Sequence, residues 1–530
     1  MKSRPRLWLT AALLLGAAAQ SVSPGASERY DLLVRRGRVL DGSGNPWVRA
    51  DVGIRGDRVA AVGDLREATA TRVIDASGLY VAPGFIDTHT HAGSGLVDET
   101  LGGAQPLLAQ GITTVLVNPD GGGEVDLAAQ RDALLRHGVG VNVGQLVPHG
   151  SVREAVIGME ARPPSADELE RMRALVRRGM AEGAWGLSSG PFYAPGSYAD
   201  TPELVALARV AGEHGGAYQS HVRDESDYTI GVLAAVDEVI TVAREAGLPG
   251  IVTHVKVLGP ASWGLAAAVR LRIEGARADG VEVWADQYPY DASGTGLGAA
   301  LLPRWAEAGG RDALRRRLAD PDTRARIRAE MAANLARRGG AARIGFRRVV
   351  SDPSIEGQTL AAVAKARGTD PVDVAIALVD AGSPSVVSYA MHEDDVRELL
   401  RQPWTMTASD GGLVPLGEGV PHPRLYGAFP RKIRRYVVDE RVVGLEFAVR
   451  SMTGLPAAVF RMRDRGQLRP GAFADVVVFD LGRLRDRATY DSPHQLAEGM
   501  VHVLVNGRPA VADGAFTGER AGRVLRRGVE

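Results

Sequence analysis

The pattern of apolar positions changes character twice along the chain. Residues 30–82 carry short runs such as Tyr30-Asp31-Leu32-Leu33-Val34, Val52-Gly53-Ile54 and Val59-Ala60-Ala61-Val62, punctuated by Gly or Asp. Short runs without a helical period predict β-strands. The far end repeats the theme with Ala474-Asp475-Val476-Val477-Val478-Phe479. Val501-His502-Val503-Leu504-Val505 then leads into the turn pair Asn506-Gly507. The two ends are expected to pair into one small β-domain. Between them, from about residue 83 to 455, short apolar runs alternate with amphipathic helical stretches. Strand candidates fall at 113–117, 142–147, 186–188, 217–219, 250–253, 282–285, 386–389 and 405–408. Alternation predicts parallel βα units, and a count near eight predicts an α/β fold closed into a (β/α)8 barrel. Residues 303–340 break the rhythm: they are Arg- and Ala-rich and helical, as for an insertion in a loop at the barrel rim.

The first residues follow a different rule. Lys2, Arg4 and Arg6 precede an apolar run over 7–19 that ends in Ala17-Ala18-Ala19. This is the layout of a secretory signal peptide, and the run is short of the ~20 residues of a membrane span. The expected divisions are a signal at 1–27, a first β-segment at 28–82, a barrel at 83–460 with its helical insertion at about 296–355, and a second β-segment at 461–530. The protein is therefore expected to be secreted or periplasmic, with no membrane span after cleavage. Lys plus Arg and Asp plus Glu each number 63, which leaves no footprint for nucleic acid. Cysteine is absent, so disulfides and thiolate metal sites are excluded.

Candidate chemistry sits at or just after predicted strands, where barrel enzymes place their catalysts. In Phe85-Ile86-Asp87-Thr88-His89-Thr90-His91, residues two apart on a strand point to one side, so His89 and His91 can reach one metal ion. His221 and His254 each end a short apolar strand, and neutral imidazole is a common zinc ligand. Asp410, after the last strand, can touch a metal and take a proton from water, or can simply form the turn before Gly411. Asp120 opens a Gly run after the strand at 113–117. It suits a bridging anion between two metals, and equally a Gly-rich turn.

Taken together, these segments resemble the amidohydrolase superfamily and, within it, the D-aminoacylase (N-acyl-D-amino-acid deacylase) family. The motifs are Gly84-Phe85-Ile86-Asp87-Thr88-His89-Thr90-His91, Gly186-Leu187-Ser188-Ser189-Gly190, Tyr193-Ala194-Pro195-Gly196 and Ser220-His221-Val222-Arg223. Thr253-His254-Val255-Lys256, Asp286-Gln287-Tyr288-Pro289-Tyr290, Ser409-Asp410-Gly411, His422-Pro423-Arg424 and Gly471-Ala472-Phe473-Ala474-Asp475 complete the set. The resemblance implies a TIM-like barrel with a small β-sandwich made by both termini, and one or two zinc ions. It implies that His221 and His254 hold the tight metal, that His89, His91 and Asp410 border a second position, and that Asp410 is the general base and then the general acid. The chain departs from the family at two points. Pro119-Asp120-Gly121 stands where relatives carry a cysteine ligand, and Ala92-Gly93 stands where many carry acidic residues. A carboxylate at 120 is harder than a thiolate and admits manganese or iron.

The activity implied is hydrolysis of an amide on a D-amino acid, a small molecule with a free carboxylate. Lys256 and Arg424 are candidate cations for that carboxylate, with Tyr193, Tyr288 and Ser293 as hydrogen-bond donors. A D-aminoacyl dipeptidase, a hydantoinase-like cyclic amidase and a non-catalytic metal-binding barrel are the alternatives.

Overall fold

The structure is a computed structural model that describes residues 29–529. The expected signal segment at 1–27 lies outside the described residues. Eight strands line the barrel: β1 (Phe85–Asp87), β2 (Ile112–Val117), β3 (Asn142–Gln145, resumed at Val147–Pro148), β4 (Gly186–Ser189), β5 (Ala217–Ser220), β6 (Gly250–Val252), β7 (Val283–Gln287) and β8 (Thr405–Thr407). Neighbours pair in parallel from β1 through to β8. The ring closes just past the strand ends, where Asp410 N donates to His89 O (2.9 Å) and His91 N donates to Gly411 O (2.7 Å).

Alternation along the strands decides which side chains fill the barrel. Ile86, Leu116, Leu146, Ile251 and Met406 form a buried interior cluster, while Val115, Val117 and Val252 pack outward under the helices. The helices begin where polar caps follow strand ends. Ser165 caps Ala166–Ala181 in a capping box with Glu168, and Asp200 caps Thr201–Glu213.

Two expectations need correction. The strand Ser385–Ser388, anticipated as a barrel strand, is instead the centre of a three-stranded antiparallel sheet, between Ser293–Gly296 and Ile344–Arg348. Its buried valines read like a barrel strand because it too is covered on one face by helices. The barrel place belongs to β1, whose three residues are too few to show a period. The inserted unit therefore runs from about 293 to 388, further than 296–355. It has its own core, including Ile327, Met331, Phe346, Leu360 and Val386.

Both termini build one nine-stranded sheet among the described residues. Tyr80–Pro83 lies antiparallel to Val476–Phe479, and that ladder is the seam between the two chain ends. Val476 and Val478 face the sheet's own core, with Leu32, Val52 and Ile54, while Val477 and Phe479 face the barrel side. The last strand, Val524–Leu525, leaves this sheet and pairs in parallel with β3. Two residues give no pattern that sequence reasoning could detect.

One buried charge carries a stability consequence. Lys432 donates to Thr407 Oγ1 and Ser451 Oγ at 2.9 Å each, behind β8. Burial alone pulls its pKa down to about 7. In an unfolded chain the amine keeps its proton up to ~10.4. Between these values unfolding takes up a proton, so stability rises with pH across the window; below about 7 the fold carries a buried cation. In a Lys432→Met variant the Thr407 and Ser451 hydroxyls keep their mutual bond of 3.0 Å. Urea unfolding should therefore show the Met variant more stable than the parent at pH 6, with a gap that shrinks by pH 10. A gap that widens with pH contradicts this assignment.

Candidate metal centre

The barrel brings the six predicted ligands to one end. His89 and His91 follow β1, Asp120 follows β2, His221 follows β5, His254 follows β6 and Asp410 follows β8. Asp120 Oδ1 lies 3.3 Å from His89 Nε2, 3.4 Å from His254 Nε2 and 3.8 Å from His221 Nδ1. Its Oδ2 lies 3.3 Å from His91 Nε2. Asp410 Oδ1 is 3.2 Å from His91 Nε2 and 3.7 Å from His89 Nε2. The donors thus form two sets, His89-His91-Asp120-Asp410 and Asp120-His221-His254, each with donor atoms within 4.8 Å of one another. Asp120 belongs to both.

Local backbone is bent to achieve this. Asp120 (φ +56°), His254 (φ +34°) and Asp410 (φ +48°) all hold left-handed conformations, which cost of order 1 kcal/mol or more each. Two buried carboxylates hold the last two. Asp286 Oδ1 accepts the His254 amide at 2.6 Å, and its Oδ2 accepts Gln219 Nε2 (3.2 Å) and Thr88 Oγ1 (3.3 Å). Asp87 accepts the amides of Ser409 (3.0 Å) and His89 (3.2 Å) and the Ser409 hydroxyl, tying β1 to the loop that carries Asp410. Burial pushes Asp87 up to about 7 and Asp286 above its usual range. The loop after β2 is held by close approach: a Cβ on Gly190 would stand 2.2 Å from Asp120 O.

The donors fit divalent metal. Both ring nitrogens of His89 and of His221, and Asp120 Oδ1, are buried with no hydrogen-bond partner. Polar atoms are seldom left so, and cations between them would satisfy Asp120 Oδ1 and the ring nitrogens that face it, His89 Nε2 and His221 Nδ1. Burial, with Lys256 and His221 beside it, holds His254 down to about 4, so its ring is neutral and has a lone pair to give. Burial works to raise Asp120 and Asp410, but the surrounding imidazoles and Arg424 outweigh it and hold both carboxyls well below their usual range. Four imidazoles and two carboxylates suit zinc, manganese or iron. His221, His254 and Asp120 would hold one ion; His89, His91, Asp410 and Asp120 would border the other.

A cavity of about 470 Å³ opens over the centre and is lined by every predicted site residue except His89, which is fully buried. Arg424 NH1 pairs with Asp410 Oδ2 at 2.8 Å, and its guanidinium lies 4.7 Å from the Tyr288 ring centroid. Ser293 Oγ is buried without a partner. The Tyr193 ring is 4.6 Å from that of His221, and its hydroxyl is 3.4 Å from Thr295 Oγ1. Lys256 is tied down: its ammonium pairs with Glu225 and lies 2.7 Å from His254 Nδ1. Glu225 escaped the sequence reading. Its Oε1 lies 3.4 Å from His254 Nδ1 and 3.6 Å from His221 Nε2, opposite the nitrogens that face Asp120. Burial works to raise it, but Lys256 and the two imidazoles hold it down to about 2. Its four-residue spacing from His221 was the available signal.

Metal analysis of purified variants tests the shared ligand. Asp120→Ala should empty both positions, whereas His91→Ala should remove about one ion per chain and leave the other. Full metal content in a folded Asp120→Ala protein contradicts the assignment.

Comparison with known proteins places this geometry. The model of the Amidohydrolase family matches residues 72–511. An N-acyl-D-glutamate deacylase of Alcaligenes xylosoxydans xylosoxydans is 39% identical over 522 residues, covering 94% of this chain and 97% of that protein. A solved structure of D-aminoacylase, concerned with its binuclear metal center, superposes with TM-score 0.81 at 34% identity, covering 94% of this chain and all of that one. The N-acyl-D-glutamate deacylase of Bordetella bronchiseptica, complexed with zinc and a phosphonate inhibitor, gives TM-score 0.80 at 35% identity with the same coverage. With its ligands gathered at the strand ends of a (β/α)8 barrel, the chain belongs to the amidohydrolase family, alongside the D-aminoacylases.

Proposed function

We propose that the protein hydrolyses the amide bond of N-acyl-D-amino acids in a metal-dependent reaction. The observation that carries this reading is the placement of Asp410, with one carboxylate oxygen 3.2 Å from His91 and the other 2.8 Å from Arg424. A proton acceptor thus stands between the metal ligands and a cation suited to a substrate carboxylate. The known activities of the relatives, deacylation of N-acyl-D-glutamate and D-aminoacylase, support the substrate class.

A divalent metal bound here would polarise the scissile carbonyl and lower the pKa of water toward ~7. The chain's own groups do the rest. Arg424 takes the substrate α-carboxylate, with Ser293 Oγ, unpartnered in the structure, and Tyr288 as donors. That contact lays the amide beside Asp410. Asp410 takes a proton from the attacking water and passes it to the leaving nitrogen. Tyr193, packed on His221, is placed to donate to the oxyanion. Glu225, its charge balanced by Lys256, stands 3.4 Å from His254 Nδ1 and 3.6 Å from His221 Nε2, on the side of both rings away from Asp120, and orients them electrostatically. Lys256, the other candidate cation for that carboxylate, lines the same cavity with its ammonium on Glu225. The imidazole-rich donor set favours zinc; the carboxylate of Asp120 extends the choice to manganese or iron. The signal-like residues before the fold support a secreted or periplasmic location.

The test is a panel of N-acyl-D- and N-acyl-L-amino acids, dipeptides and hydantoins, run on metal-loaded protein. We expect turnover of linear N-acyl-D-amino acids and a strong preference over the L-enantiomers. Asp410→Asn should lower kcat by about 10²–10⁴-fold while the His221–His254 ion stays bound. Turnover of hydantoins in preference to linear amides would overturn this reading.

A further inference from the structure

We infer that Arg338 is a second anion-binding residue of the catalytic cavity, and that the preferred substrate therefore carries a second carboxylate. This rests on the deacylase reading above. Arg338 directly follows the inserted helix Pro321–Arg337 and lines the cavity over the metal centre. It is 1% exposed. Its Nε donates to a neutral acceptor, Ala300 O, at 3.2 Å, and its NH1 is buried with no hydrogen-bond partner. Its guanidinium carbon lies 5.6 Å from the Tyr228 ring centroid. Among the described residues no carboxylate pairs with it.

The other deep cations of the cavity are paired. Lys256 has Glu225, and Arg424 has Asp410. A buried guanidinium left with one neutral carbonyl and a ring face is unusual, because buried charges are ordinarily paired and hydrogen-bonded. Its free donors lack an acceptor that a carboxylate would supply in a forked geometry. The position is fixed. Gly259, in the loop after β6, sits so close that a Cβ there would stand 2.3 Å from Arg337 O, which clamps the helix end against the barrel.

Arg338 and Arg424 hold different sides of the cavity. Arg338 stacks near Tyr228, whose ring is 6.0 Å from Phe192, itself 5.1 Å from His221. Arg424 stands at Asp410 and Tyr288. An α-carboxylate at Arg424 leaves Arg338 for an anionic group elsewhere on the same molecule. That group is either the amino-acid side chain, as in a D-glutamate or D-aspartate derivative, or the acyl portion, as in an N-succinyl derivative.

The experiment measures kcat/KM for N-acetyl-D-glutamate, N-acetyl-D-glutamine, N-succinyl-D-leucine and N-acetyl-D-leucine, with the parent and with Arg338→Met and Arg338→Lys. The parent should favour one dicarboxylic substrate over its neutral counterpart, and which pair shows the preference tells side chain from acyl group. Arg338→Met should reduce that ratio by about 10- to 150-fold, the value of a hydrogen bond to a charged group, and Arg338→Lys should restore part of it. A ratio is read, so a general loss of fold or metal does not imitate the effect. Hydrolysis of the neutral D-substrates with no preference for either dicarboxylic one, or a preference untouched by Arg338→Met, overturns the inference and leaves the deacylase reading standing. No hydrolysis of any of the four overturns both.

Discussion

Asp120 is the carboxylate on which the rest of the site depends. Four imidazoles lie 3.3–3.8 Å from its oxygens, drawn from loops after three different barrel strands. Two of those rings, His89 and His221, have no hydrogen-bond partner at either nitrogen, and cations among the donors would give the nitrogens facing Asp120 one. It also divides the centre into two sets with a common member. His89 and His91, the pair that first marks the chain as metal-binding, make up only one of those sets. The other, with His221 and His254, is buttressed from behind by Glu225.

The barrel's contribution is to hold strained backbone in place. Asp120, His254 and Asp410 adopt left-handed conformations that the chain would not choose alone. Asp286 and Asp87 hold two of them through buried hydrogen bonds, and the close seat of Gly190 against Asp120 O holds the third. These supports lie within or directly beside the strands. A site built on rigid elements keeps ligand positions to within tenths of an ångström, which metal binding demands. The inserted unit, with its separate core, adds a wall to the cavity without disturbing that frame.

Most of this arrangement was legible in the sequence, for a physical reason. The ligands sit at strand ends, and strand ends are where a period-two pattern stops. His221, His254 and Asp410 are therefore marked by position as well as by type. Asp120 was ambiguous because Asp before Gly is also ordinary turn chemistry; its approach to four histidines appears only in the fold. Asp87 and Asp286 were missed because they act through hydrogen bonds to backbone that only the fold brings beside them, and Glu225 because a four-residue spacing within a loop is a weak signal. In the fold, β1 was too short to register, and the strand Ser385–Ser388 was misplaced because buried valines look alike in a barrel and in an inserted sheet. Arg338 had no local signal at all: its isolation from carboxylates is a property of the folded cavity.

One carboxylate, that of Asp120, would join two metal positions. Anomalous X-ray diffraction from crystals of the metal-loaded protein tests it most directly. Two peaks should appear, one beside His221 and His254 and one beside His89, His91 and Asp410, each about 2.0–2.2 Å from an oxygen of Asp120. Two fully occupied peaks with the Asp120 carboxylate turned away from both, or a single ion that Asp120 does not touch, would contradict the account.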